Sequence, residues 1–362
     1  MTTLQPQISS NLSIRAIVEG AGHWFLHSGI RESNGGVARY HYTDRRQNAK
    51  VSLEITGYAV SALVYLHDLT KDRQYLDAAM GSAAFLRDQA WSARDNTMPY
   101  EIPDEGEQAY AYFFDAGIIV RGMLTVWRAC GDASFLEKAK EVGLSMAYDY
   151  MAEEAVHPIL TLPDKQPLDY DLLRWSQSPG CYQLKSAMAW WDLAVATGVP
   201  ALKQPFERML EYSLATHETF LPGHPERLKA MDRLHAYSYF LEALLLVGDR
   251  PACREALRTG IERVAFHLRD VAPDFARSDV YAQLLRVRLF ADRLGFVPLN
   301  CEQAAEEAAA IQTFSRPEDG AFWFGRKHGE FLPFTNPVSA AFCLQALAMW
   351  DGDRDVEIGA LI

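Results

Sequence analysis

Two kinds of helix alternate along this chain, and the alternation leaves few folds open. Apolar residues recur at i, i+3, i+4 and i+7 in segment after segment. One set, 57–69, 114–130, 181–197, 234–248, 279–295 and 337–350, holds 12 charged residues in 93. The intervening set, 14–28, 72–88, 134–149, 203–216, 252–268 and 301–313, holds 24 in 92. A helix apolar nearly all round must be buried, whereas one with a single apolar stripe faces solvent. Six buried helices alternating with six amphipathic ones predict an inner ring inside an outer ring. The expected fold is an all-α (α/α)6 toroid, one domain over residues 1–362. The inner segment 279–295 fits least well, with five charges.

The connections support the same arrangement. Each inner helix is followed by a tight turn carrying Gly or Asp, residues that end one helix and cap the next. The returns from outer to inner helices are longer: 29–56, 89–113, 150–180, 217–233, 269–278 and 314–336. Long ordered loops gathered on one face commonly carry function. Within the first of them, Ala49–Ile55 alternates enough to predict a short strand.

Charge and cysteine usage narrow the partners. The 362 residues carry a formal net charge of −12. Nucleic acid and anionic membrane surfaces demand clustered Lys and Arg, so both are excluded as general partners. The five cysteines are dispersed, without zinc-site spacing, as expected of reduced thiols. No basic start with an apolar run marks a signal peptide, and Leu332–Trp350 reads as a loop feeding a buried helix. A soluble, cytoplasmic protein is the expectation.

Repeat openings such as Glu54-Ile-Thr-Gly-Tyr58, Phe113-Phe-Asp-Ala-Gly117 and Leu234-His-Ala-Tyr-Ser-Tyr239 stand at the starts of inner helices. With the six hairpins, they make the chain resemble the six-hairpin glycosidase-like superfamily over residues 10–352. That group includes unsaturated glucuronyl and rhamnogalacturonyl hydrolases, sugar 2-epimerases and several polysaccharide lyases. The resemblance implies a pocket at the mouth of the inner barrel, beneath the long loops.

Residues at the starts of the inner helices then line the pocket. They include Glu54, Tyr58, Asp115, Tyr182, Gln183, His235, Tyr237, Tyr239, Asp279 and Asn336. The loops add Arg39, His41, Glu101, Arg174, Trp175, Gln177 and Trp323. Aromatic faces stack on sugar rings, and amides and carboxylates bind hydroxyls, so the mixture suits a sugar. Each residue also has an ordinary explanation, since Asp and Asn cap helices and Tyr fills cores. Asp115 follows a run of aromatics, which would desolvate its carboxyl and suit a general acid. Glu54 is the expected base or nucleophile, with Glu101, Glu107 and Asp279 as substitutes. His235 with Tyr239 permits proton abstraction beside a carboxyl instead. The basic run 39–50 could draw in an anionic sugar.

Other chemistries lack their motifs. There is no DxDD or DDxxD, no GxGxxG, no Walker A, no GxSxG and no catalytic zinc set. Pro317–Trp323 reads as a turn with an aromatic lid. The expectation is an enzyme acting on short oligosaccharides, uronates among them, by carboxylate acid/base hydrolysis, with no metal and no organic cofactor. Epimerisation or β-elimination at His235 and Tyr239 is the first alternative, and a non-catalytic glycan- or protein-binding toroid is the second.

Overall fold

The computed structural model describes residues 12–353 and 356–362. Twelve α-helices run in the expected order among them: α1 (Ile14–His27), α2 (Leu53–Thr70), α3 (Arg73–Phe85), α4 (Phe113–Cys130), α5 (Ala133–Asp149), α6 (Leu184–Thr197), α7 (Gln204–Thr216), α8 (Ala230–Leu244), α9 (Pro251–Val271), α10 (Ser278–Arg293), α11 (Cys301–Gln312) and α12 (Pro337–Trp350). The even-numbered helices touch in sequence, α2 to α4 and onward to α12, and α12 returns to α2. The inner ring is therefore closed. Odd-numbered helices lean on it from outside, as α5 does on α4 and α6, and α11 on α10 and α12.

Local chemistry sets the helix ends. Asp72, Asp132 and Asn300 cap α3, α5 and α11 with their side chains. Gly131 and Gly198 end α4 and α6 in the left-handed conformation. At two points the expected boundaries shift. Ser52 accepts a hydrogen bond from the Ile55 amide and starts α2 at Leu53, earlier than the periodicity suggests. Residues 53–55 are thus helical, and the strand expected over 49–55 is instead a two-residue strand ending at Asn48.

Short strands build the rim. β1 (His41–Tyr42) pairs antiparallel with β2 (Gln47–Asn48), and β3 (Tyr110–Tyr112) with β4 (Ile159–Thr161), which also pairs with β5 (Gln166–Pro167). β6 (Phe275–Arg277) pairs with β7 (Gly325–Lys327), and β7 with β8 (Glu330–Phe331). β9 (Phe334–Thr335) joins the first sheet beside β1. β3, β6 and β9 run almost directly into α4, α10 and α12, so each small sheet clamps the mouth end of inner helices.

The helices approach closely where glycine allows it. A Cβ on Gly117 would lie 2.5 Å from Ser186 Cβ and 2.5 Å from its carbonyl oxygen, across the α4–α6 contact. Gly117→Ala is therefore expected to destabilise by about 1–3 kcal/mol, because backbone must shift. Gly81, exposed on α3, has nothing within 4 Å of such a Cβ. There the same change should stabilise by roughly 0.5–1 kcal/mol through helix propensity. Urea unfolding of the two variants reads the contrast.

Charges on the inner helices do not line a neutral hole. Three of them meet in one buried layer inside the ring. Glu242 on α8 is fully buried between Lys185 of α6 (2.8 Å) and Arg286 of α10 (2.5 Å). Both cations also reach the main-chain oxygen of Ile362, at 3.1 Å each. Gln345 of α12 accepts from Arg286 and from the Ile362 amide. Two of the five charges that made 279–295 an odd inner helix are thus explained, Arg286 here and Arg288, which pairs with Glu307 of α11 at 2.9 Å.

No helix among the described residues is long and apolar enough to cross a membrane.

Candidate active site

Glu54 and Asp115 occupy the first turns of neighbouring inner helices, α2 and α4. Asp115 does not cap its helix, since Tyr112 holds the cap position and offers no side-chain bond. Its carboxyl is 5% exposed, and Oδ2 has no hydrogen-bond partner. Burial pushes the Asp115 carboxyl far above its ordinary value, and the charge of Glu54 pushes it further. Burial also raises Glu54, to about 7, against the pull of Arg39.

Arg39 stands over this pair. Its guanidinium meets Glu101 at 3.1 Å and lies 4.3 Å from the centre of the Tyr100 ring. Tyr100 in turn packs on Tyr112 (4.7 Å). One turn deeper than Glu54, Tyr58 is buried edge-on against Phe342, and its hydroxyl has no partner. Tyr239 is buried close by, its phenol raised by burial and then by Glu54. Phe114, Tyr182 and Trp175 continue the aromatic wall, with ring separations of 4.7 Å (Phe114–Tyr239), 6.0 Å (Phe114–Tyr182) and 5.0 Å (Tyr182–Trp175).

His235 faces this wall from α8, 4.7 Å from the Tyr239 ring. Its Nδ1 lies 2.7 Å from Gln283 Oε1 and 3.7 Å from Asp279 Oδ2. Burial lowers the imidazole to about 4, with Arg277 adding to the effect, so it is neutral at pH 7. If Nδ1 donates to Gln283, Nε2 is the free acceptor. Asp279 is not a spare acid. Burial alone would raise it, but Arg277 grips both oxygens (3.0 and 2.7 Å) and Ser339 donates to it, which keeps its pKa low.

Other expected residues fall elsewhere. Tyr237 turns outward, bonding His217 at 2.9 Å and packing on Gly260 of α9. It lies two residues from His235 and from Tyr239, hence on the opposite helix face. Asn336 caps α12, accepting from the Val338 and Ser339 amides. Gln183 lies within the wall, its Oε1 taken by the Gly180 amide and its Nε2 unpartnered. His41 bonds Asn48 across β1–β2, and Gln177 donates to the Asp169 carbonyl at the surface. Trp323 stacks on Phe331 and carries Arg316 on its face, next to the Asp319 turn. Arg174 is exposed beside Asp171.

The basic run 39–50 is largely neutralised. Arg39 pairs with Glu101, Lys50 with Asp104 and Glu107, and Arg45 lies near Asp44. The loop after Pro99 supplies the opposing acids. Among the described residues no group of three His, Cys, Asp or Glu side chains could hold a metal ion.

No family profile and no curated protein matches this chain in sequence. Solved structures do match it in shape. A sugar epimerase from a ruminal bacterium superposes with TM-score 0.72 at 12% identity, covering 96% of this chain and 100% of that one. The cellobiose 2-epimerase of Spirochaeta thermophila gives 0.70 at 15%, covering 96% and 99%. A family 76 glycoside hydrolase from a bovine Bacteroides thetaiotaomicron strain gives 0.64 at 13%, covering 94% and 79%. The chain has the six-hairpin glycosidase-like fold. These neighbours run different reactions on one toroid, so the chemistry must be argued from the site.

Proposed function

We propose that this protein is a carbohydrate-active enzyme that hydrolyses a glycosidic bond in short oligosaccharides. The observation that carries the reading is the Glu54–Asp115 pair: two carboxyls in the first turns of neighbouring inner helices, both desolvated, with Asp115 pushed well above its ordinary value and Glu54 raised to about 7. Hydrolysis needs one carboxylic acid to protonate the leaving oxygen and one carboxylate to act as base or nucleophile. Asp115 takes the first role and Glu54 the second. Half-buried Trp175, backed by the buried rings of Tyr182 and Phe114, offers an aromatic face a sugar can stack on, and Arg39 steadies the carboxylate form of Glu54. The test is turnover on a panel of neutral and acidic oligosaccharides with the wild type. Release of reducing ends supports the reading, and none released across the panel overturns it.

Epimerisation is favoured by a different observation, the neutral His235 held by Gln283 beside Tyr239, together with the two neighbours described as epimerases. An imidazole with a free Nε2 can take a proton from the carbon next to a sugar carbonyl. Disaccharides incubated in D2O discriminate the two readings. Deuterium in recovered, uncleaved sugar means epimerase chemistry, and cleavage without it means hydrolysis.

A further inference from the structure

Five arginines among the described residues are buried: Arg121, Arg233, Arg277, Arg286 and Arg288. Four of them meet a carboxylate within 3.0 Å: Asp192, Asp279, Glu242 and Glu307 respectively for Arg121, Arg277, Arg286 and Arg288. Burying a cation is costly, and the usual remedy is a partner of opposite charge. Arg233 lacks one. It is 8% exposed, donates from one Nη to the Leu172 carbonyl (2.8 Å), and lies over the Phe220 ring at 5.1 Å. Its Nε has no partner at all.

The same arginine lines a cavity of about 450 Å³ at the rim, with Arg174, Trp175, His224, Lys229 and two acids. The acids answer the other cations and leave Arg233 over. Asp232 is shared between Arg277 at 2.9 Å and Lys229 at 3.9 Å, and Asp171 between the Leu173 amide and Arg174 at 3.4 Å. Trp175 forms the wall between this cavity and the mouth. Its ring stands edge-on to His235 (6.3 Å) and to Tyr182 (5.0 Å). A sugar chain crossing Trp175 would thus run from the wall of Tyr182 and Phe114, beside Asp115, toward Arg233.

We propose that this rim cavity is a second sugar subsite that takes an acid-bearing unit, its carboxylate or sulfate seated against Arg233 and Lys229. The proposal rests on the oligosaccharide reading above and names the substrate class that reading left open. It also moves the anion contact from the neutralised run 39–50 to the opposite side of the mouth. Arg supplies the fork that a planar carboxylate or a sulfate edge requires, and Lys229 adds a point charge.

Calorimetric titration of the Asp115→Asn protein with glucose, glucuronate, glucose 6-sulfate and inorganic sulfate tests this without turnover. At least one acidic sugar should bind tenfold or more tightly than glucose, with the gap narrowing at high salt. The two acidic sugars separate carboxylate from sulfate ester. Arg233→Met should abolish the preference, and Arg233→Lys should keep part of it. Because Arg233 also braces the Leu172 loop, the exposed Lys229→Gln serves as the safe variant and should cut the preference about threefold. Equal binding of glucose and both acidic sugars overturns the proposal, as does an undiminished preference in Arg233→Met. Inorganic sulfate binding as tightly as the sugars overturns the sugar assignment. An acidic preference without hydrolysis by the wild type sinks only the hydrolase reading; hydrolysis without the preference sinks only this one.

Discussion

Asp115→Asn is expected to lower turnover by about a hundred- to ten-thousand-fold while leaving KM nearly unchanged, the scale of losing a positioned general acid. The amide keeps the shape and the polarity but cannot give up a proton. Two effects compete at Asp115. The first turn of α4 favours a carboxylate by about 0.3–1 kcal/mol. Burial, and then the charge of Glu54, disfavour it more and push the carboxyl well above its ordinary value. Turnover needs one proton on the pair. Below about pH 7 Glu54 takes up a proton too, and the rate should fall. At high pH Asp115 loses its proton, and the rate should fall again; this alkaline limb should vanish in the Asn variant. Stability follows the same ionisations. Glu54 ionises near 4.5 when unfolded and about 7 when folded, so the native state is favoured at low pH and loses that advantage as pH rises between the two. Glu54→Gln should therefore gain melting temperature relative to wild type at pH 8 and not at pH 4. Wild-type turnover in Asp115→Asn would remove Asp115 from the acid role.

The ring was legible because burial and charge are written residue by residue. A helix such as 337–350, without a single charge, has no stable place except inside. The position of a side chain around its helix was less legible. His235, Tyr237 and Tyr239 read as one aromatic cluster, yet a step of two residues turns Tyr237 to the outer layer. Applying the 3.6 period to the pocket list itself would have found this. The pairing of charges was not legible at all. Lys50 finds Asp104 and Glu107 across more than fifty residues, and Arg277 turns Asp279 from a candidate acid into an anchored counter-ion. Neither pairing leaves a local signature. The loop contacts that leave Arg233 without a carboxylate are likewise properties of the folded rim.

Glu242→Gln should cost about 3–5 kcal/mol, the largest stability effect expected from one conservative change in this molecule. Glu242 is fully buried, and removing its charge leaves Lys185 and Arg286 facing each other across α6, α8 and α10. Lys185 can escape by shedding its proton, since burial already lowers it to about 7. Arg286 has no such escape at any ordinary pH. Its remaining partners are Gln345 Oε1, the Ile362 oxygen and the face of Phe342 at 4.0 Å. Chemical denaturation at pH 7 reads the loss. The triple change Lys185→Met, Glu242→Leu and Arg286→Met should cost far less than Glu242→Gln alone, because it removes the desolvated charges together. It should also loosen the 356–362 tail, which loses both cations at the Ile362 oxygen and keeps the Gln345 side-chain bonds to Ala360 and Ile362, and the tail amides should then exchange with solvent faster. A Glu242→Gln protein as stable as wild type would mean that the attraction within this layer only balances the cost of burying it.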